Sequence, residues 1–133
     1  MKIRAAFGRG RPKPRVAGQQ SAHETAFECH LRDSLFKPGG VVWFRYEHVK
    51  LRLADGTWYS PDFVAMTEDG TIVCYEVKPG RMVKGELGTI ITDGAAVKLK
   101  VAEEHYPLRF VLVTAYKALV RDGGAWTFKM EDV

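Results

Sequence analysis

The spacing of apolar positions divides the chain after residue 20 into helical and extended segments. Phe27, Leu31 and Leu35 recur every four residues, which predicts a helix over residues 21–36. Residues 92–105 also have a helical pattern. The sequence therefore predicts two helices, with most of the extended segments between them.

Four extended segments are rich in β-branched and aromatic residues and are predicted as strands. Short turns at Asp55-Gly56 and at residues 68–70 join the first three, which should therefore be antiparallel. The fourth is continuously apolar, which is typical of a buried strand of the parallel kind. The expected fold is α/β, in the order α-β-β-β-α-β, with a mixed central sheet flanked by helices. The strand segments are residues 41–53, 57–66, 71–78 and 108–114.

Some boundaries within this plan carry further expectations. The apolar phase of the first strand changes near Glu47 or His48, which predicts a bulge. Pro79-Gly80 is expected to end the third strand, and a glycine-punctuated loop should follow up to residue 91. Residues 121–130 predict a terminal hairpin.

Length and composition indicate one folded unit in a reducing compartment. The chain of 133 residues is 46% hydrophobic, which suits a single domain, here residues 21–133. Cys29 and Cys74 lack the spacing of a zinc site or a disulfide framework. No apolar run approaches the roughly 20 residues that span a bilayer, and no signal peptide is evident. We therefore expect a cytoplasmic protein without membrane contact.

Basic residues are concentrated in an N-terminal arm, residues 1–20. Six precede the first acidic residue, which leaves 14 basic and 16 acidic residues in the rest of the chain. With its glycines and prolines the arm cannot pack a core, so we expect it to be flexible. It would serve either as a solubilising tail or as a cationic arm that neutralises nucleic-acid phosphates. The six residues are Lys2, Arg4, Arg9, Arg11, Lys13 and Arg15.

Three charged residues, Asp62, Glu76 and Lys78, lie in strands that should be buried. A three-residue turn between these strands would place Asp62 opposite Glu76. A two-residue turn would place Asp62 opposite Val77 and point the two acids to opposite faces. The local sequence allows both. In the first case the carboxylates, roughly 5 Å apart, would repel unless a cation such as Mg²⁺ or Mn²⁺ lies between them.

A third acid, Glu24, falls in line with the apolar stripe of the first helix. It could therefore reach the same place as the strand carboxylates. The segment "SAHE" is also a capping box, in which Glu24 hydrogen-bonds back to the amide of Ser21. Both interpretations stay open at this stage.

Several short motifs follow one another in a set order along the predicted elements. They are Ser-x-x-Glu in the first helix ("SAHE"), Pro-Asp in the second strand ("SPDF") and Glu-x-Lys in the third ("EVK"), before a helix and a strand. This order resembles the PD-(D/E)XK nuclease superfamily and implies a restriction-endonuclease-like core. Over roughly residues 20–114, "SAHETAF", "FRYEHVKL", "YSPDF" and "CYEVKPG" resemble the phage-type endonuclease I Holliday-junction resolvases. The loop at 79–91 and the tail after 115 have no counterpart in that pattern.

The resemblance implies a Mg²⁺-dependent endodeoxyribonuclease, a hydrolase of DNA phosphodiester bonds. Asp62 and Glu76 would be ligands of one or two Mg²⁺ or Mn²⁺ ions. Glu24 would be a further ligand or would contact a metal-bound water. Lys78 would stand beside the attacking water, unless it only forms a salt bridge with a neighbouring acid.

The same resemblance implies a homodimer that cuts branched DNA such as a Holliday junction, without a small-molecule organic cofactor. If a phage encodes the protein, the compartment is the host cytoplasm. The alternative is a non-catalytic DNA-binding or phage accessory protein that keeps the fold. Basic residues expected to contact phosphates, unless they only form a solvated surface, are Arg4, Arg9, Arg11, Lys13, Arg15, Arg81, Lys84, Lys98 and Lys100.

Overall fold

A computed structural model of the chain describes residues 19–118 and 124–133. This part of the chain is α/β, with a mixed sheet and two helices, so the expected class is confirmed. Apart from residues 19 and 20, the predicted N-terminal arm lies outside the described residues. In chain order the elements are α1 (Ala22–Asp33), β1 (Val41–Tyr46), β2 (Leu51–Ala54), β3 (Thr57–Tyr59), β4 (Phe63–Thr67), β5 (Ile72–Val83), β6 (Glu86–Thr89), α2 (Asp93–His105), β7 (Arg109–Lys117) and β8 (Trp126–Asp132).

Within residues 19–118 and 124–133, six strands form one sheet in the order β1-β4-β5-β7-β8, with β6 pairing with the far end of β5. β5 runs antiparallel to β4 and parallel to β7, as the apolar pattern of the latter predicted. β8 pairs antiparallel with β7, as two strands of a hairpin do, while the connecting residues 119–123 lie outside the described residues. β2 and β3 form a separate two-stranded sheet.

The turn between β4 and β5 decides between the two registers that the sequence allowed. Gly70 has a φ of 86°, and the ladder pairs Phe63 with Tyr75. This is the register of a three-residue turn, in which the last turn residue has the left-handed conformation. Extended by one residue, the register sets Asp62 opposite Glu76.

Two strands that the sequence predicted as continuous are each broken. The prediction of one strand over 41–53 is wrong, because Glu47 has a φ of 44° and turns the backbone out of β1. The phase change that predicted a bulge therefore marks a full break. The prediction of one strand over 57–66 is also wrong, because the chain leaves the ladder at Pro61, which has no N–H to donate.

The segment after the third predicted strand is a hairpin and not a loop. β5 continues through Pro79-Gly80 to Val83, so the predicted strand end is wrong, and β6 occupies the segment predicted as a loop. Proline removes one N–H from the ladder but keeps its carbonyl, and here the strand survives that loss. Lys84 and Gly85 have φ values of 50° and 78°, as in the two-residue turns that join antiparallel strands.

The two helices cover opposite faces of the sheet. Phe27 and Leu31 of α1 pack on one face against residues from β1, β4, β5 and β7. Leu99 and Ala102 of α2 pack on the other face, to which the β2–β3 sheet also contributes. Among the described residues, no helix has the length and apolar character needed to cross a membrane.

Candidate metal centre

Asp62 lies in the break between β3 and β4, with 6% of its surface exposed. Its carboxylate Oδ2 accepts a hydrogen bond from the N–H of Val77 over 2.7 Å. Its carbonyl oxygen accepts another from the N–H of Glu47 over 2.8 Å. These two bonds join the residue to β5 on one side and to the end of β1 on the other, so its position is fixed by the backbone of both strands.

Three carboxylates meet at this point, those of Glu24, Glu47 and Asp62. Each offers one ligand oxygen, and the three oxygens lie within 4.8 Å of one another. Glu24 and Asp62 are buried, whereas Glu47 is exposed. We refer to these three residues as the carboxylate group. It is assembled from the first helix, the end of β1 and the start of β4.

Glu24 takes part both in a helix cap and in the carboxylate group. Its Oε1 accepts a hydrogen bond from the Ser21 N–H over 3.2 Å, and its own N–H donates to Ser21 Oγ over 3.2 Å. The predicted capping box is therefore confirmed. Because the cap holds the carboxylate in place at 3% exposure, capping does not exclude the ligand role.

Glu76 is buried beside this group and has partners of its own. Its Oε1 is 2.9 Å from Lys78 Nζ, and its Oε2 accepts a hydrogen bond from the Tyr59 hydroxyl over 2.7 Å. Glu76 is not a member of the group whose ligand atoms lie within 4.8 Å among the described residues. The structure thus brings the predicted Glu76 and Lys78 together as an ion pair, and the ligand role of Glu76 stays a prediction.

Electrostatics distinguish the two acids of the β4–β5 hairpin. Burial, followed by the negative charges of Glu76 and Glu24, raises the pKa of Asp62 to about 7, although the Val77 backbone N–H and Lys78 oppose the shift. Burial also raises the pKa of Tyr59, and the nearby Glu76 carboxylate adds to that effect. The phenol therefore keeps its proton and acts as a hydrogen-bond donor to Glu76.

The carboxylate group fits a hard divalent cation. It offers oxygen ligands only, which Mg²⁺ and Mn²⁺ prefer over the nitrogen and sulfur ligands of softer metals. Two of the three acids are buried, and bringing like charges together out of water is unfavourable unless a proton or a cation compensates them. Burial and the charges of Glu76 and Glu24 raise the pKa of Asp62, which reflects this cost. Glu24, Glu47 and Asp62 could therefore hold one such ion.

The basic residues predicted to contact phosphates occupy two exposed regions and one segment outside the described residues. Arg81 and Lys84 are exposed at the end of the β5–β6 hairpin. Lys98 and Lys100 are exposed on α2, two residues apart and so pointing in different directions. The arm residues Arg4, Arg9, Arg11, Lys13 and Arg15 lie outside the described residues.

Sequence reasoning missed two residues of the site, Glu47 and Tyr59. Glu47 was noted only as the place of a bulge, although an acid where the apolar phase of a strand changes could have suggested a side chain aimed at a site. Tyr59 shows no special signal, because a tyrosine in a strand is most simply a core aromatic. Only the packing of β3 against β5 gives its hydroxyl a buried carboxylate to contact.

No protein-family model, no curated protein and no solved structure matches this chain.

Proposed function

We propose that this chain is a divalent-metal-dependent endodeoxyribonuclease with a restriction-endonuclease-like core, and that its substrate is branched DNA. The observation that carries the proposal is the meeting of Glu24, Glu47 and Asp62 within 4.8 Å, next to the Glu76–Lys78 pair. Buried carboxylates beside a lysine are what phosphodiester hydrolysis with a hard metal ion requires. The motif order that resembles PD-(D/E)XK nucleases adds support of a separate kind.

Each residue of the site has a part that follows from its contacts. Glu24, Glu47 and Asp62 would hold a Mg²⁺ or Mn²⁺ ion, and when bound this ion would lower the pKa of a coordinated water and neutralise phosphate oxygens. Lys78, half-buried and 2.9 Å from Glu76, carries N–H donors that can orient a water or a phosphate oxygen. Glu76 would hold the lysine in that orientation, and the Tyr59 phenol would in turn hold Glu76.

Selectivity for branched DNA and a dimeric state belong to the same proposal. Cutting a junction symmetrically requires two active sites, so we propose a homodimer with one carboxylate group in each subunit. The basic residues would contact phosphates without identifying bases, and the shape of the branch would then supply the selectivity.

Cleavage assays on matched substrates test the proposal. Full-length protein is incubated with a four-way junction, a linear duplex and the component single strands, in Mg²⁺, Mn²⁺ or EDTA. We expect cleavage of the junction in either metal and none in EDTA. Asp62→Asn keeps an oxygen that can accept the Val77 N–H bond but removes the charge, so the rate should fall by about 10³-fold.

Asp69→Asn is the matched control, because Asp69 is an exposed carboxylate at the turn of the same hairpin. It should cut at the wild-type rate. Cleavage that persists in EDTA, or that Asp62→Asn leaves unchanged, would contradict the proposed site. Tight junction binding with no cleavage in any metal would instead support a non-catalytic DNA-binding protein.

A further inference from the structure

A hairpin extends from the strand that carries Lys78. β5 pairs with β7 as far as Pro79, and beyond that residue, within the described part of the chain, it pairs with β6 alone. Residues 81–86, which include the turn, are all exposed. With four residue pairs at about 3.3 Å each, this hairpin extends roughly 10–13 Å. We call residues 80–89 the β5–β6 hairpin.

The base of this hairpin is packed against the sheet. A Cβ atom at Gly80 would lie 2.8 Å from both Leu87 Cδ1 and Thr114 Cγ2, so only glycine fits beneath the Leu87 side chain. The hydroxyls of Thr89 and Thr114 are buried and hydrogen-bonded to each other at 2.5 Å. The two-residue turn at the other end ties the strands together. Packing at the base and strand pairing up to the turn therefore hold the hairpin in one orientation.

The tip combines apolar side chains with positive charge. Met82 is 44% exposed and Val83 is 39% exposed, and because they are neighbours in one strand their side chains point to opposite faces of the hairpin. Arg81 precedes them and Lys84 follows them, both exposed, and the exposed Glu86 pairs with Val83 across the turn. A strand that presents an apolar side chain on each face, between two cations, matches a nucleic acid, where phosphates flank the apolar faces of bases.

The hairpin continues directly from the candidate metal centre. Gly80 is two residues after Lys78 on the same strand, and Val83 is five residues after it, which places the tip roughly 17 Å from the lysine along an extended chain. A DNA strand with its scissile phosphate at the carboxylate group would therefore have neighbouring nucleotides within reach of the tip.

We propose that the β5–β6 hairpin is the element that engages the branch point of the DNA. The hairpin acts as a wedge, with Met82 on one face and Val83 on the other packing against unstacked bases, while Arg81 and Lys84 hold the adjacent phosphates. This inference rests on the proposed function and names its substrate class, which is DNA with an interrupted base stack. Opening a stack costs least where pairing is already broken, so a wedge favours branched over linear duplex DNA.

Binding measured without cleavage tests the hairpin. Full-length protein in EDTA is titrated into a four-way junction with 2-aminopurine at the branch point, and into a linear duplex with the same label. We expect binding to raise the fluorescence of the junction, because the labelled base unstacks. The double variant Met82→Ser, Val83→Ser should lose this rise and bind the junction about tenfold more weakly, with an unchanged salt dependence.

Charge variants of the hairpin should give the opposite pattern. Arg81→Gln with Lys84→Gln should keep the fluorescence rise and reduce the slope of log K against log salt by about 1.8, the value for two phosphate contacts on a duplex. Met130→Ser is the control, because Met130 is similarly exposed at 48%, on β8. It should behave as wild type. If the double variant fails to fold, Met82→Ser alone is measured in the same way.

Two outcomes would overturn the inference. One is a Met82 and Val83 variant that binds the junction and raises the fluorescence as wild type does. The other is a variant that loses binding because it no longer dimerises, as a monomer in sedimentation would show. The tip would then be a contact between copies of the chain. The test is separate from that of the proposed function, since Asp62→Asn should retain the fluorescence rise. If the protein unstacks the labelled base but shows no metal-dependent cleavage, the proposed nuclease function is refuted and the proposed role of the hairpin still stands.

Discussion

Asp62 and Glu76 belong to one hairpin and stand opposite each other in its register, yet their surroundings differ. Glu76 has a lysine on one oxygen and a phenol on the other. Asp62 accepts one backbone N–H, has ligand oxygens of Glu24 and Glu47 within 4.8 Å, and has a pKa raised to about 7. One acid is therefore neutralised by the protein itself, and the other is left for a proton or a metal ion.

This difference explains how the site can be stable before it binds anything. Lys78 and Tyr59 contact the two oxygens of the Glu76 carboxylate, and the ion pair keeps the lysine in place. Asp62, in contrast, is buried near the carboxylates of Glu76 and Glu24, and the cost of its charge there is relieved when it is protonated or when a divalent ion is bound. Glu76 should therefore act through the lysine, whereas Asp62 should act through the ion.

After Asp62→Asn, the largest effect on cleavage should come from breaking the Glu76–Lys78 ion pair. Lys78→Met removes the ammonium that pairs with Glu76 and the donor proposed to orient a water or a phosphate oxygen. We expect the cleavage rate in Mg²⁺ to fall by about 10²–10³-fold, within the usual range for a general acid–base group. Lys37→Met, which changes an exposed lysine between α1 and β1, is the control and should cut as wild type. Wild-type cleavage by Lys78→Met would assign the lysine a purely structural role.

The raised pKa of Asp62 should make the stability of the folded state depend on pH. Without divalent ions, folded Asp62 keeps its proton up to about pH 7, whereas in the unfolded chain it loses it near pH 4. Between these pH values the folded state thus binds more protons than the unfolded chain. The free energy of unfolding should therefore fall as the pH rises, by on the order of 3 kcal/mol. Urea denaturation from pH 4 to 8 measures this loss, which Asp62→Asn should remove.

Two comparisons sharpen that measurement. Hydrogen bonds from Thr67 and Thr71 lower the pKa of Asp69, so its contribution to stability has the opposite sign and is lost only as the pH falls below about 4. Asp69→Asn should therefore keep the wild-type loss of stability as the pH rises towards 8. Saturating Mn²⁺ should reduce the loss seen in wild type, because the ion takes the place of the proton. A loss of stability with rising pH that is equal in wild type and Asp62→Asn would place the titrating group elsewhere.

Glu47 should set the affinity for the ion. Glu47→Gln removes one of the three charges of the carboxylate group, and we expect Mn²⁺ affinity to fall by about 10–100-fold in isothermal titration calorimetry. Glu103→Gln removes an exposed acid from α2 and should leave the affinity unchanged. An unchanged affinity in Glu47→Gln would reduce the group to Glu24 and Asp62.

The smallest effect should come from the support of Glu76. Tyr59→Phe leaves a buried carboxylate oxygen without its donor, which should lower the free energy of unfolding by about 1–3 kcal/mol. Tyr106→Phe also removes a phenol bond, but its acceptor is the exposed carbonyl of Arg52, so the loss should be smaller. Equal losses in the two variants would show that the Tyr59–Glu76 hydrogen bond stabilises the fold no more than a bond to an exposed carbonyl does.

Local patterns in the sequence were sufficient for the helices and for the turn signals. Helix α1 begins with its capping box at Ser21, and α2 occupies the predicted segment, because caps and apolar spacing act within a few residues. The alternation of β5 also placed Glu76 and Lys78 on one face. Strand ends were less predictable: Pro79-Gly80 looked like a stop, yet β6 supplies the pairing that lets the strand continue.

The sequence by itself determined the types of residue available: acids and a lysine in buried strands, a capped helix, and basic residues in separate clusters. Only the tertiary structure decided which of them meet. It chose the three-residue turn that sets Asp62 opposite Glu76, and it turned the chain at Glu47 so that a third acid reached Glu24 and Asp62. The physical reason is that pairing between strands and repulsion between carboxylates depend on groups far apart along the chain, which no local pattern records.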